Sequence, residues 1–143
     1  MLKVVLSSLK ILKEEGVWLE IVNLVIPTNN DDMKMIEMMC KWIKENLGPD
    51  VPLSFSRFYP MHHLNNLPPT PVETLHRARE VGLRCGLHYV YVGNVPGDDA
   101  EDTYCPVCRK KIVDRTGYAI IQNNIRDNKC KFCGEKIAGV WGK

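Results

Sequence analysis

The chain has no uninterrupted apolar run approaching the ~18 to 20 residues that a membrane-spanning helix needs. Its first residues, MLKVVLSSLKILKEEG, have neither the long apolar stretch nor the small-residue cleavage site of a secretory signal, because Lys10, Lys13, Glu14 and Glu15 break them up. A cytoplasmic protein with no membrane partner is expected. A large charge of one sign is missing too. Against 17 Asp and Glu stand 19 Lys and Arg, net +2, so total charge is silent on nucleic acid. The composition, 45% hydrophobic and 25% charged, excludes a disordered chain. Finally, 143 residues fall short of the roughly 250 of a complete eight-stranded (β/α) barrel. Any barrel pattern here is part of one.

What is present is unevenly distributed. Residues 105–143 hold nine basic and three acidic residues, a local +6, which leaves −4 for the first 104. Such asymmetry marks either a basic binding module or the counter-charge around several thiolates.

The first 95 or so residues alternate helical and strand patterns. Leu2, Leu6, Leu9 and Leu12 fall at helical spacing. Val17 to Pro27 (VWLEIVNLVIP) is rich in β-branched residues and suits a strand buried on both faces of a parallel sheet. From Asp31 to Leu47, Ile36, Met39, Cys40, Ile43 and Leu47 form one helical stripe, ended by Gly48-Pro49. The Met33, Met35, Met38 and Met39 cluster is read as helix packing. Residues 51–59 supply a second strand. Thr70-Pro71-Val72-Glu73 then opens a third helix, with Thr70 as the expected N-cap and Pro71 at the first helical position. Leu87 to Val92 (LHYVYV) is the third strand.

The order α-β-α-β-α-β predicts parallel strands joined by right-handed crossovers. The expected class is α/β. Long polar loops follow the strands, so a site in this part belongs at the strands' C-terminal ends. From Gly97 the pattern changes: GDDAEDT reads as an acidic linker, giving two expected units, 1–97 and 98–143.

The second unit carries the strongest chemical signal. Cys105-Pro106-Val107-Cys108 and Cys130-Lys131-Phe132-Cys133 are separated by 21 residues, the arrangement of a four-cysteine metal site. Each short pair makes a tight turn that aims two sulfurs at one point, and two such turns supply a tetrahedron of thiolates suited to Zn²⁺. A unit of ~40 residues buries too little apolar surface to hold itself together without such a staple. Iron fits the same ligand set, and disulfides fit a cytoplasmic chain poorly. Four protein thiolates leave no open position for catalysis. Cys40 and Cys85 are read as small packed hydrophobes, and no C-x-x-x-C-x-x-C arrangement exists.

Three residues outside the cysteines are candidate cofactor contacts. His62, in the His62-His63 pair, follows the second strand. Asn94 follows the third, between Gly93 and Gly97. Asn23 and Glu20 interrupt the first strand on opposite faces, so only one can point at a ligand.

Together, LEIVNLVIPTNND, LSFSRFYP, PPTPVETLHRARE, HYVYVGNVPG, TYCPVC, CKFCG and the closing IAGVW resemble the C-terminal half of the AmmeMemoRadiSam-system radical SAM enzyme, which is similar to the pyruvate formate-lyase activating enzymes. The resemblance spans nearly the whole chain. It implies a partial (β/α) barrel of about three βα units followed by a small four-cysteine zinc ribbon. The intact enzyme would hold a [4Fe–4S] cluster and S-adenosylmethionine, with the Val22–Pro27 strand end and His62 approaching the adenosyl group. Its substrate is left open, a protein among the alternatives. Three positions depart from the family: Ser54, Asp98 and Arg109 stand where His, His and Gly are common.

Because the cluster motif lies in the family's other half, the chain is expected to be a C-terminal portion, inactive alone, whose partner is the missing N-terminal barrel half. A stand-alone ribbon binding nucleic acid or a protein is the rival. The ribbon's aromatics, Tyr104, Tyr118, Phe132 and Trp141, lack the interleaving with basic residues of a single-strand platform, which disfavours nucleic acid. A rubredoxin-like iron module is a third alternative.

Overall fold

The computed structural model describes residues 2–141; Met1, Gly142 and Lys143, at the outer ends of the two expected units, lie outside the described residues. Three parallel strands, β1 (Ile21–Val25), β2 (Leu53–Arg57) and β3 (Val90–Gly93), pair in the order β1-β2-β3. Helices α1 (Leu2–Glu14), α2 (Met33–Leu47) and α3 (Val72–Arg84) precede them in turn. The α/β class and the crossover order follow the hydrophobic periodicity.

Asp32 caps α2 by accepting from the N–H groups of Lys34 and Met35. Its expected stripe is buried at Ile36, Cys40, Ile43 and Leu47, and Gly48, at φ 95°, ends it. From α3, Leu75, Ala78 and Val81 join the same core against Leu53, Phe55, Val90 and Val92. By contrast α1 buries no residue fully; only Leu6 and Leu9 are half-covered.

One expectation needs correction. β1 is not buried on both faces. All the helices lie on one side of the sheet, and the other side presents Val22, 68% exposed, and Leu24, 45% exposed. Ser54, Ser56, Tyr91 and Gly93 continue this face, register-matched across the strands. An apolar run shows that a segment can be buried on two faces, and what covers it is decided elsewhere.

Thr70 also departs from its expected role. Helix α3 begins after Pro71 without a side-chain cap. The buried Thr70 hydroxyl instead donates to the Val25 carbonyl at 2.5 Å and accepts from the Phe58 N–H at 3.1 Å. It thereby ties the C-terminal ends of β1 and β2 together. A buried carbonyl needs a partner more than an exposed helix start does.

Beyond β3 the acidic segment is not a loose tether. A 3-10 turn over Asp99–Glu101 is capped by Asp98 and buries Ala100 in the first core. It leads into a three-stranded antiparallel sheet of β4 (Thr103–Tyr104), β5 (Lys111–Thr116) and β6 (Ala119–Asn123), followed by the hairpin β7 (Ile125–Arg126) and β8 (Lys129–Cys130). Asp102, buried, receives the Arg115 N–H at 2.6 Å and the Lys111 ammonium at 2.5 Å. That hydrogen bond to Asp102 is the main reason the Lys111 amine is raised above its ordinary range.

Tyr89 joins the two units. It is buried among Cys105, Ile112, Val113, Ile125, Cys130 and Ile137, and its hydroxyl accepts from the Ala138 N–H at 3.3 Å. Burial pushes that hydroxyl up to about 12, so it remains a neutral anchor.

Replacing Thr70 with Val keeps its shape and orphans two backbone groups. The expected loss is about 2 kcal/mol in denaturant unfolding, with Thr70→Ser retaining most of the stability. Asp102→Asn should cost about 1–3 kcal/mol: the amide oxygen still accepts the Arg115 N–H, but an NH₂ replaces the oxygen and the negative charge that face the Lys111 ammonium, while the sheet of β1–β3 stays intact by circular dichroism.

Candidate metal centre

The two C-x-x-C segments fold as repeats of one turn. In the first, the Cys105 N–H donates to the Lys110 carbonyl at 2.9 Å and the Arg109 N–H to the Cys105 carbonyl at 3.0 Å. In the second, Cys130 N–H donates to Glu135 at 2.8 Å and Gly134 N–H to Cys130 at 2.9 Å. The residue after each second cysteine is left-handed: Gly134 at φ 79° and Arg109 at φ 62°. That geometry is why Gly suits the position, and Arg109 adopts it against the preference of a residue with a Cβ. The turn forms with a non-glycine residue at that position.

The strands set the turns facing each other. β4 and β5 carry the first. The β7–β8 hairpin, tightened by Asp127 and Asn128 at φ 49° and 62°, carries the second. All four sulfurs lie within 4.8 Å of one another. Cys105 Sγ is 3.6 Å from Cys133 Sγ, and Cys108 Sγ 3.7 Å from Cys130 Sγ. A tetrahedron with metal–sulfur bonds of ~2.3 Å has edges of about 3.8 Å, so the donor set fits a single four-coordinate ion.

The backbone prepares these sulfurs for negative charge. Burial alone would raise the Cys130 thiol, but the N–H groups of Phe132 and Cys133 and the neighbouring thiols outweigh it and hold it down to about 7. Burial raises Cys105, opposed by the N–H groups of Cys108 and Val107. At Cys133 the Glu135 N–H is overcome by burial and the other three sulfurs, which push it up to about 12. Four thiols this close resist shedding their protons together unless a cation replaces them. Metal binding is plausible chemistry for this cluster.

The three candidate cofactor residues do not gather there. His62, at φ 50°, is exposed in the loop after β2. Asn94, at φ 62°, uses its amide to donate to the Arg57 carbonyl at 2.9 Å, bridging the ends of β3 and β2. Both stand at the C-terminal edge of the parallel sheet. Asn23 does not share the open face. It points into the helix layer, where its amide reaches Met39 Sδ at 3.3 Å and its buried Oδ1 has no partner among the described residues. Period-two alternation puts Glu20 on the open side instead, where it lines a 240 Å³ pocket with Ser54, Tyr91, Glu101 and Arg115.

Sequence reasoning missed two pairings beside the ribbon. Asp98 lies 2.8 Å from His76 Nε2. Arg79 sits over the Tyr104 ring, 5.8 Å from its centroid. The signal for the first is the acidic run 98–102, which composition alone reads as linker.

Cys130→Ser should abolish stoichiometric binding of cobalt or zinc and unfold the ribbon, leaving the β1–β3 unit folded by circular dichroism. Acid should act in the same direction. Protons compete for thiolates, so affinity measured by competition titration should fall about tenfold per pH unit for each proton displaced as pH drops through 7.

No protein-family model matches this chain, and no solved structure matches it. It is 42% identical over 138 residues to an uncharacterized protein of Methanocaldococcus jannaschii, a match covering 95% of this chain. The chain spans only 41% of the length of that relative.

Proposed function

We propose that this chain is the C-terminal wall of a radical SAM enzyme: about three βα units of a partial (β/α) barrel, with a structural zinc ribbon closing its end. The observation that carries this reading is the one-sided sheet. Helices cover one face of β1–β3, while Val22 and Leu24 stand exposed on the other beside the polar pocket of Glu20, Ser54, Tyr91, Glu101 and Arg115. In a barrel such a face turns inward and lines the cavity. His62 and Asn94 stand at the strands' C-terminal edge, where (β/α) enzymes place their chemistry.

Division of labour follows from the cysteines. Cys105, Cys108, Cys130 and Cys133 saturate a tetrahedral ion, so its contribution is folding energy. Cys40 is fully buried in the first core and Cys85 lies against the Glu37 carbonyl, so neither joins a cluster site. A [4Fe–4S] cluster, held by the missing N-terminal half, would supply the electron that cleaves S-adenosylmethionine. This chain's share is to shape the cavity and exclude water from it.

A second reading rests on β6, whose five residues are all exposed and which carries Ile120 and Ile121 next to the exposed Tyr118. An apolar strand of this kind suits a protein partner of the ribbon better than nucleic acid, whose affinity would fall steeply with salt.

Reconstituted anaerobically with iron and sulfide and given S-adenosylmethionine and a reductant, the chain should release no 5′-deoxyadenosine. Purified from cells, it should be colourless and hold one zinc by elemental analysis; a red protein would carry iron in the ribbon. Production of 5′-deoxyadenosine by this chain alone overturns the division of labour. Failure of the full-length Methanocaldococcus relative to produce it under the same conditions overturns the radical assignment.

A further inference from the structure

On β1 the side chains that alternate toward the helix layer are Ile21, Asn23 and Val25. Ile21 and Val25 pack in the first core, and Asn23 is a polar interruption between them. Its surroundings answer it poorly. The amide nitrogen rests on Met39 Sδ at 3.3 Å, a weak acceptor, and the buried Oδ1 has no donor among the described residues. Asn30, which borders the same space, is already committed. Its amide donates to the Leu24 carbonyl at 2.9 Å, and its oxygen accepts the Ile26 N–H at 2.6 Å. A buried acceptor without a donor forfeits its hydration for nothing, so packing alone would favour an apolar residue at position 23.

Asn23 lines a cavity of about 490 Å³ between α1, α2 and the helix-side face of β1, across the strand from the exposed Val22 and Leu24. That is the size range of a small-molecule pocket. Leu2 and Leu6 of α1 line one side. Met35, Met38, Met39 and Trp42 of α2 line another, and no charged side chain belongs to the lining among the described residues. The Ile36, Cys40, Ile43 and Leu47 stripe of α2 fills the sheet's core, whereas Met35 and Met38 stay more than half exposed. Since α1 buries no residue fully, it has not closed onto the space. Unbranched thioether side chains adapt to an irregular guest and make favourable contacts with aromatic rings.

We infer that this cavity is a binding site for a small neutral aromatic molecule bearing one N–H or O–H donor, with Asn23 as the acceptor that reads the donor. Each part of that ligand class comes from the walls. A charged ligand would enter without a counter-charge, which is costly in an apolar site. The methionines and Trp42 favour a ring over an alkyl chain. One orphaned acceptor asks for one donor. The Asn23 amide turns about its broad terminal torsion at the loss of only the Met39 contact, which carries its oxygen to the methionine side of the cavity. Because β1 stands between this cavity and the open face of the sheet, the inference requires neither the cavity-wall reading nor radical chemistry.

Indole and N-methylindole are a matched pair of probes, one ring system with and without its N–H. Binding is read by NMR of the chain, supplied with zinc and carbon-13 labelled at its methionine methyls. Indole should shift the Met35, Met38 and Met39 signals saturably and leave that of Met61, exposed in the loop after β2, in place. N-methylindole should bind about tenfold more weakly, the worth of one hydrogen bond. Asn23→Leu should erase the difference between the two probes. Should leucine disturb the fold, the two probes on the unaltered chain still decide. Absence of a saturable shift up to the solubility of indole overturns the inference, as do equal affinities of the two probes for the unaltered chain. Shifts of the same three methyls that follow protein concentration without any probe place a second copy in the cavity and overturn it too.

Discussion

Everything after Gly97 is positioned by one alternation, Tyr89-Val90-Tyr91-Val92. Period two sends the valines into the core under α2 and α3 and the tyrosines to the opposite side. Tyr89 becomes part of the ribbon's own core, and Tyr91 is hydrogen-bonded to Thr103 at 3.1 Å. A ribbon of this size has little apolar interior of its own. Borrowing a buried tyrosine from the neighbouring sheet supplements the metal, and it fixes the four-thiol cluster against the end of β3. A swap of Tyr and Val along this strand would reverse both cores at once.

The cysteine site was legible because its information is local. Two residues between the thiols dictate each turn, and the turn dictates its N–H donors. Helix α2 was legible for a similar reason: Asp32, the Ile36–Leu47 stripe and Gly48 are all within one stretch of chain. Thr70 was not. Its best partner, the Val25 carbonyl, lies 45 residues away, and nothing near Thr70 in sequence distinguishes a helix cap from a strand clasp. Asn23 and Glu20 were correctly separated onto opposite faces, but periodicity alone does not say which face the helices take. That choice is set by where the crossovers run.

The charge asymmetry is likewise resolved by contacts. The acidic segment 98–102 and the basic ribbon are partners. Lys111 lies 2.5 Å from Asp102, 3.5 Å from Asp99 and 3.6 Å from Asp114. Arg115 reaches the Glu101 carbonyl and the Thr103 hydroxyl. So part of the local positive charge docks the ribbon, while Lys110 lies over the Phe132 ring, 4.9 Å from its centroid. A segment that composition marks as linker is in its physics a clamp, since Asp102 is buried and satisfied by both a main-chain and a side-chain donor.

Strand edges are usually protected against unwanted pairing by charge, proline or a covering element. β3 is protected twice, by Arg79 and by the 3-10 turn. Among the described residues β1 is protected only at its C-terminal end, by Asn30, and the protection there is a mimic of strand pairing. Over Glu20–Leu24 the edge presents alternating outward groups, and beside it the exposed apolar residues of α1 form a continuous flank. Isolated exposed apolar residues are ordinary on a protein surface, whereas a contiguous set next to a bare strand edge is costly in a monomer. The asymmetry is therefore directional: the β3 edge, where the ribbon begins, is covered by Arg79 and the 3-10 turn, and the β1 edge is capped by Asn30 at its C-terminal end.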